Sequence, residues 1–195
     1  MPKKLMRHFK ITQKRLNESN SMKAAHVHED YEIYYLTSGE ATILINQHIY
    51  HISEGDIVML PAGTIHRTSY DRNDIRERYA LMFSDDVIGD LRDDIGDEMT
   101  EVIMEPCVIS VPEKRREYVV SIMSKLMYES GNHDKLSQAF AKMGVVELLL
   151  FIIRCRKYEE NVIKEIDVAN VLMQQVVTYI YENFRKKLTL ESVSK

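Results

Sequence analysis

Residues 31–63, YEIYYLTSGEATILINQHIYHISEGDIVMLPAG, decide the fold. Apolar and polar residues alternate with the period of a strand, and turn residues cut the pattern at short intervals. YEIYYLT stops at Ser38-Gly39, ATILIN at Asn46-Gln47 and IYHI at Glu54-Gly55, while DIVMLP runs into Pro61-Ala62-Gly63. Short strands with turns roughly every 8–12 residues make an antiparallel sandwich or barrel. Pro61 and Gly63 suit a type I turn with proline second and glycine fourth. Asn46-Gln47 is a poorer hairpin signal, because glutamine has no special tolerance for positive φ.

Further along, RERYALMFS (76–84) and CVISV (107–111) read as additional strands. The acidic stretch between them, DDVIGDLRDDIGDEMTEVI, reads as a short helix or loop. From Pro112 the period changes. Pro112 suits a first helical turn, and Glu113 lies favourably at its positive end. Val119, Ile122, Met123, Leu126 and Met127 follow at helical spacing, and Gly131 stops the run. A second helix is expected over about Ser137 to Tyr158. Its centre, VVELLLFII, is apolar nearly all round, so it is deeply buried or shared with a second subunit. A third helix is expected from about Asp167 to Phe184, with Val168, Val171, Leu172, Val176, Tyr179 and Ile180 on its apolar face. The polar KYEENVIKEID (157–167) is the expected seam.

The chain has 195 residues, long for one average domain and short for two, so a main core with a smaller appendage is expected. With 45% hydrophobic and 29% charged residues the composition is that of a globular protein. A formal charge of -4 leaves no basic footprint for tight nucleic-acid binding by this polypeptide alone. Cys107 and Cys155 lie far apart in no ligand pattern and read as reduced core thiols. The basic N-terminus MPKKLMRHFKIT has no apolar stretch after it, and the longest apolar run, Leu148 to Ile153, is too short to span a bilayer. No membrane association and a cytoplasmic location are therefore expected.

His26, His28, Glu32 and Tyr34 share parity, so a continuous strand aims two imidazoles and a carboxylate into one space. His66 follows the Pro61–Gly63 turn and can arrive from a neighbouring strand. Such a set can hold a divalent first-row metal, or it can be the polar wall of a pocket. In the pocket reading, a buried Glu32 pairs with a polar or cationic ligand that offsets its desolvation. Tyr34 shares the face of Glu32. His48 and His51 have opposite parity, lie in or beside a hairpin, and read as surface residues. Arg185, Lys186 and Lys187 read as a solvated helix cap.

These residues carry a resemblance. His26-x-His28-x3-Glu32-x6-Gly39 resembles the first cupin motif, and Gly55-x5-Pro61-x-Gly63-x2-His66 resembles the second; Tyr70 stands where an asparagine often follows. The resemblance implies an α+β chain: a cupin-like double-stranded β-helix, or jelly-roll barrel, followed by a helical dimerisation segment. It implies metal ligation by His26, His28, Glu32 and His66 in those members that bind one.

The C-terminal VVTYIYENFRKKLTLESVSK (176–195) resembles the opening of the DNA-binding domain of AraC-type regulators. Thr189 is placed there as an N-cap, with Glu191 in the first turn. Ser192 stands where a reciprocal capping box needs Glu or Gln. The resemblance implies three segments: 1–111 a cupin-like effector-binding barrel, 112–162 a helical dimerisation segment, and 163–195 the start of a helix-turn-helix domain. The chain stops before any recognition helix, so a fragment of a longer regulator is expected.

The implied function is effector sensing without catalysis. A small molecule meets His26, His28, Glu32, Tyr34 and His66 in the barrel, and no cofactor is required, a divalent first-row metal being conditional. A homodimer is expected through Leu149 and Phe151, and operator DNA is contacted only by the full-length protein. The competing class is a metal-dependent cupin enzyme of dioxygenase or isomerase type using the same His/Glu set, which the C-terminal resemblance disfavours. A closed, empty dimerisation barrel is disfavoured by the inward polar groups, which need partners.

Overall fold

The computed structural model describes residues 8–16, 21–70, 75–101 and 103–158. Among these, eight strands precede and flank four helices: β1 (Phe9–Leu16), β2 (Tyr31–Ser38), β3 (Glu40–Ile45), β4 (His48–Ser53), β5 (Asp56–Leu60), β6 (His66–Ser69), β7 (Arg76–Phe83), α1 (Asp86–Ile95), α2 (Asp97–Glu101), β8 (Cys107–Ser110), α3 (Glu113–Ser130) and α4 (Lys135–Tyr158). The strands form a five-stranded sheet ordered β1-β7-β2-β5-β8 and a three-stranded sheet ordered β4-β3-β6. Every ladder pairing is antiparallel. Two facing antiparallel sheets are the jelly-roll arrangement expected from the sequence.

The five-stranded sheet is a wall with two faces. Odd-numbered Tyr31, Ile33 and Tyr35 of β2 point outward into a cluster with Ile57, Met59, Leu81 and Phe83, where α1, α3 and α4 cover them. Even-numbered Tyr34 and Leu36 point inward with Val58, Leu60 and Val108 and meet Ile43, Ile45 and Ile52 of the smaller sheet. Both faces are therefore buried, which is why β2 is apolar on successive residues rather than alternating. The outer cluster runs without a break from the sheet into Val119 and Leu126 of α3 and Val145, Leu148 and Ile152 of α4.

Three local expectations need correction. The Pro61 turn is displaced by one residue: Thr64 N–H donates to Pro61 O at 3.1 Å, so proline is first and Gly63 third. Gly63 has φ +80°, the value a type II turn demands at its third position, where only glycine is unstrained. At the β3–β4 hairpin only Asn46 takes a positive φ (53°), so no such conformation is asked of Gln47. Pro112 lies just outside α3, with φ -55° and ψ 140°, while Gly131 ends the helix as read, in the right-handed region (φ -79°).

The acidic stretch after β7 forms two short helices, and Val87, Ile88 and Leu91 bury the apolar side of α1. α4 opens on Asp134, whose Oδ1 accepts from the N–H groups of Leu136 and Ser137 at 2.8 and 3.0 Å. By length and composition α4 can cross a membrane. In this fold, however, Val145, Leu148, Leu149, Phe151, Ile152 and Ile153 are buried against the rest of the chain. The expected helix over Asp167–Phe184 and the segment 163–195 lie outside the described residues.

Candidate functional site: a His/Glu cluster in the barrel

Four side chains converge at one end of the inner face. Glu32 opens this face on β2, and His66 opens β6. His26 and His28 arrive by a different route from the one their parity suggests. The strand begins only at Tyr31, and the two histidines stand on the loop before it. His26 forms an isolated bridge with His66, each N–H donating to the other's carbonyl at 3.0 Å. The carbonyl of His28 accepts from Gly63 N–H at 2.9 Å, so the second motif's turn holds the first motif's loop. Gly39 is also explained by packing: it has φ +83°, and a Cβ there would lie 2.6 Å from Arg76 Cγ.

One nitrogen or carboxylate oxygen from each of His26, His28, Glu32 and His66 lies within 4.8 Å of all the others. His28 Nδ1 is 2.7 Å from Asp30 O, and His66 Nδ1 is 3.0 Å from Thr64 O. A carbonyl only accepts, so both Nδ1 atoms carry protons and both Nε2 atoms face the cluster. His28 Nε2 is 3.0 Å from Glu32 Oε2. His66 Nε2 lies 3.4 Å from the same oxygen, close enough for attraction but without a hydrogen bond of its own.

Electrostatics follow from this geometry. Burial pushes the Glu32 carboxyl up, but the hydrogen bond from His28 and the attraction of the nearby His66 ring outweigh it and bring it down to about 2. The hydrogen bond to Glu32 raises His28 above its ordinary value, against desolvation. With acceptors on both ring nitrogens, His28 is an imidazolium beside a carboxylate when nothing else enters the cluster. His26 is lowered, first by burial and then by the neighbouring His66. The same donor set fits a divalent first-row metal: three imidazoles and one carboxylate, with backbone carbonyls fixing two of the rings.

Tyr34 lies beyond Glu32 on the inner face, 3% exposed, and its hydroxyl meets that of Tyr70 at 3.3 Å. Burial raises the Tyr34 phenol well above its ordinary value. His48 and His51 are exposed, as read. Leu149 is completely buried and Phe151 is 8% exposed within their own chain, so the apolar surface that α4 presents outward lies elsewhere. Sequence reasoning missed β1 and, within RERYALMFS, the inward arginines. Arg76 is fully buried, donates from Nε to Glu40 O and sits 5.6 Å from the Tyr70 ring centre; Arg78 sits 5.2 Å from the ring centre of Tyr34. Their shared parity with Ala80 was the available signal.

A jelly-roll barrel with a polar cluster inside and a helical layer outside defines the class of cupin-type binding domains. Residues 14–149 match the model of the AraC-like ligand binding domain, and the chain belongs to that family. It is 23% identical over 182 residues to the uncharacterized HTH-type transcriptional regulator YdiP of Escherichia coli K12, covering 87% of this chain and 55% of YdiP. The chain thus spans about half the length of that curated relative. Among solved structures it is similar to ToxT of Vibrio cholerae. An apo ToxT variant superposes with a TM-score of 0.54 at 14% identity, over 95% of this chain and 68% of ToxT. Unsaturated fatty acid bound ToxT gives 0.53 at 12% identity, over 97% and 69%.

Proposed function

We propose that this chain is the effector-sensing and dimerisation region of an AraC-type transcription regulator, with the barrel interior as the sensor. The observation that carries this reading is the convergence of His26, His28, Glu32 and His66, which runs from an exposed His26 through a half-buried His28 to a buried His66, with Tyr34 beside it, in a barrel of the AraC-like ligand-binding family. Buried polar groups are retained at a cost, and a ligand that completes their hydrogen bonds repays it. ToxT, which shares the fold, has been crystallised with an unsaturated fatty acid. An effector that binds one arrangement of the barrel more tightly than another biases how an attached DNA-reading domain is presented. This reading assigns no catalytic role to any residue and goes with a cytoplasmic location.

A promoter–reporter beside the gene tests it, in cells carrying the wild-type, deleted and Glu32→Gln alleles of the full-length gene. Deletion is expected to change reporter output, and Glu32→Gln to alter the response at unchanged protein level. Identical output from all three strains would remove the regulator reading.

A second reading places a divalent first-row metal on the same four residues. It is favoured by the unpaired Nε2 of His66 and by the two Nδ1–carbonyl bonds that aim the rings inward. Protein dialysed without chelator is expected to retain close to one equivalent of metal by elemental analysis, and His28→Ala to release it. Metal-free wild-type protein would sink this reading and leave the effector pocket standing.

The dimer interface moves with the burial of Leu149. Leu136, Phe140, Met143 and Leu150 are 73%, 57%, 66% and 41% exposed, and Glu147 and Arg154 continue the same alternating spacing of four and three. That is the seam of a paired helix, and these four apolar side chains are the proposed contact with a second copy.

A further inference from the structure

We propose that Lys14 and Arg78 form an oxyanion cradle on the inner face of the barrel wall, and that the effector presents a carboxylate or phosphate to it. The proposal rests on the effector reading above and adds the charge class of the ligand.

Register places the two cations together. Lys14 of β1 pairs directly with Arg78 of β7, which pairs in turn with Leu36 of β2. Directly opposed residues in a ladder share a face, and Leu16 and Leu36 show that this face is the interior one. Two cations side by side on adjacent strands repel, and such pairs are normally avoided or neutralised. Here neither is neutralised by a carboxylate among the described residues. Glu77 is on the opposite face and reaches Arg15 at 3.9 Å. Glu32 lies two rows away on the inner face and is held by His28 and His66.

The guanidinium of Arg78 is also short of acceptors. Its Nε and Nη1 are buried and have no hydrogen-bond partner. A guanidinium has two bidentate edges, each sharing Nη2, so each edge contains one of these unpaired donors. Buried unpaired donors are costly, and a planar fork of this kind matches a carboxylate or phosphate. Arg76, one row further along β7, shows the contrasting structural arrangement: its Nε donates to Glu40 O and its charge sits against Tyr70. Arg78 instead lies over the face of Tyr34, at 5.2 Å. Tyr34 thus links the cradle to the polar cluster: Arg78 covers its ring, and Glu32 precedes it on the inner face of the same strand.

The test uses the full chain labelled with nitrogen-15, at constant ionic strength in chloride, titrated with inorganic phosphate, sodium octanoate or octan-1-ol. Octanoate or phosphate is expected to shift the Arg78 Nε–H resonance and the Tyr34 amide saturably. Lys14→Gln and Arg78→Gln should each weaken binding on the order of tenfold or more, and Arg78→Lys less than Arg78→Gln. Octanoate displacing phosphate identifies a carboxylate source, and phosphate alone saturating identifies a phosphate source. Lys14→Gln, at an exposed position, keeps the test decisive if Arg78→Gln does not fold. Without anion, the melting temperature of Lys14→Gln should equal or exceed that of wild type, because the repulsion is gone. Loss of the cradle follows if neither anion binds, or if both bind the variants as tightly as wild type. Octan-1-ol binding as well as octanoate and ignoring both substitutions would also overturn it, while leaving the effector pocket intact; the reporter experiment fails independently of all these outcomes.

Discussion

Glu32 is held ionised inside the barrel by two imidazoles, and that fixes how acid and base act on this end of the molecule. Its carboxyl is depressed from an ordinary 4.5 to about 2. A depressed carboxyl stabilises the fold fully above its unfolded value and loses that contribution as pH falls through the folded one. His28 is raised above 6.5, so its contribution is complete below 6.5 and is lost as pH climbs through the raised value. Chelator-treated protein should therefore lose stability in urea both from about pH 4.5 down toward 2 and on the alkaline side of 6.5. Glu32→Gln should abolish the acid arm and lower the His28 pKa, read from its ring-proton titration by NMR. A His28 titration indifferent to Glu32→Gln would mean that the pair does not form. At this scale the cluster's membership was legible in the spacing of its residues, but the route was not. Backbone bonds from His26 to His66 and from Gly63 to His28, both distant in sequence, replace the continuous strand that parity suggests.

α4 carries two kinds of apolar residue that its sequence does not separate. VVELLLFII looks uniformly apolar, yet Leu149 is completely buried while Leu150, the next residue, is 41% exposed. Which arc is covered depends on where α3, α1 and β8 happen to lie, and no local pattern encodes that. Gly144 marks the approach of the two long helices: a Cβ there would sit 2.9 Å from Cδ2 of the buried Leu126. Three outcomes follow for this element. Leu149→Ala should cost about 2–5 kcal/mol in urea unfolding, as a buried leucine does. Gly144→Val should cost about 1–3 kcal/mol by overpacking against Leu126. Phe140→Asp should leave stability within about 0.5 kcal/mol, as surface changes usually do, and convert a dimer to a monomer in sedimentation velocity. A Phe140→Asp chain that still sediments as a dimer would move the interface off this seam. The strand order was likewise beyond the sequence. β1 escaped notice because FKITQKRL alternates with mostly polar residues, and it takes its place at the sheet edge only through β7.

In the molecule as a whole, one sheet is shared between a barrel and a helical layer. Cys107 and Cys155 both belong to the cluster between that sheet and the helices. Burial pushes the Cys107 thiol up to about 11, so little reactive thiolate exists at neutral pH. Both cysteines should react with a thiol reagent only as fast as the helical layer comes away from the sheet, with labelling rates that rise together in urea. Cys155 labelling well ahead of Cys107 would show α4 detaching before the sheet opens. An antiparallel sandwich or barrel and the helical period after Pro112 were readable from local periodicity, whereas the jelly roll was implied by the resemblance of the two histidine motifs and the buried thiols by cysteines lying in no ligand pattern. The two-faced use of the wall was hinted at only by the unbroken YEIYYL, a pattern shared by any strand buried on both sides.

That wall also constrains how the gene can vary in length. Between Tyr31 and Leu36, adding or deleting one codon would exchange the residues that serve the barrel with those that serve the helices, from Tyr34 and Tyr35 onward. At Thr37 the ladder to β7 already skips a residue, passing from Leu36 opposite Arg78 to Ser38 opposite Glu77. Descendants of this sequence can gain or lose a residue there without reversing the strand, whereas within the preceding six positions they can change only by substitution.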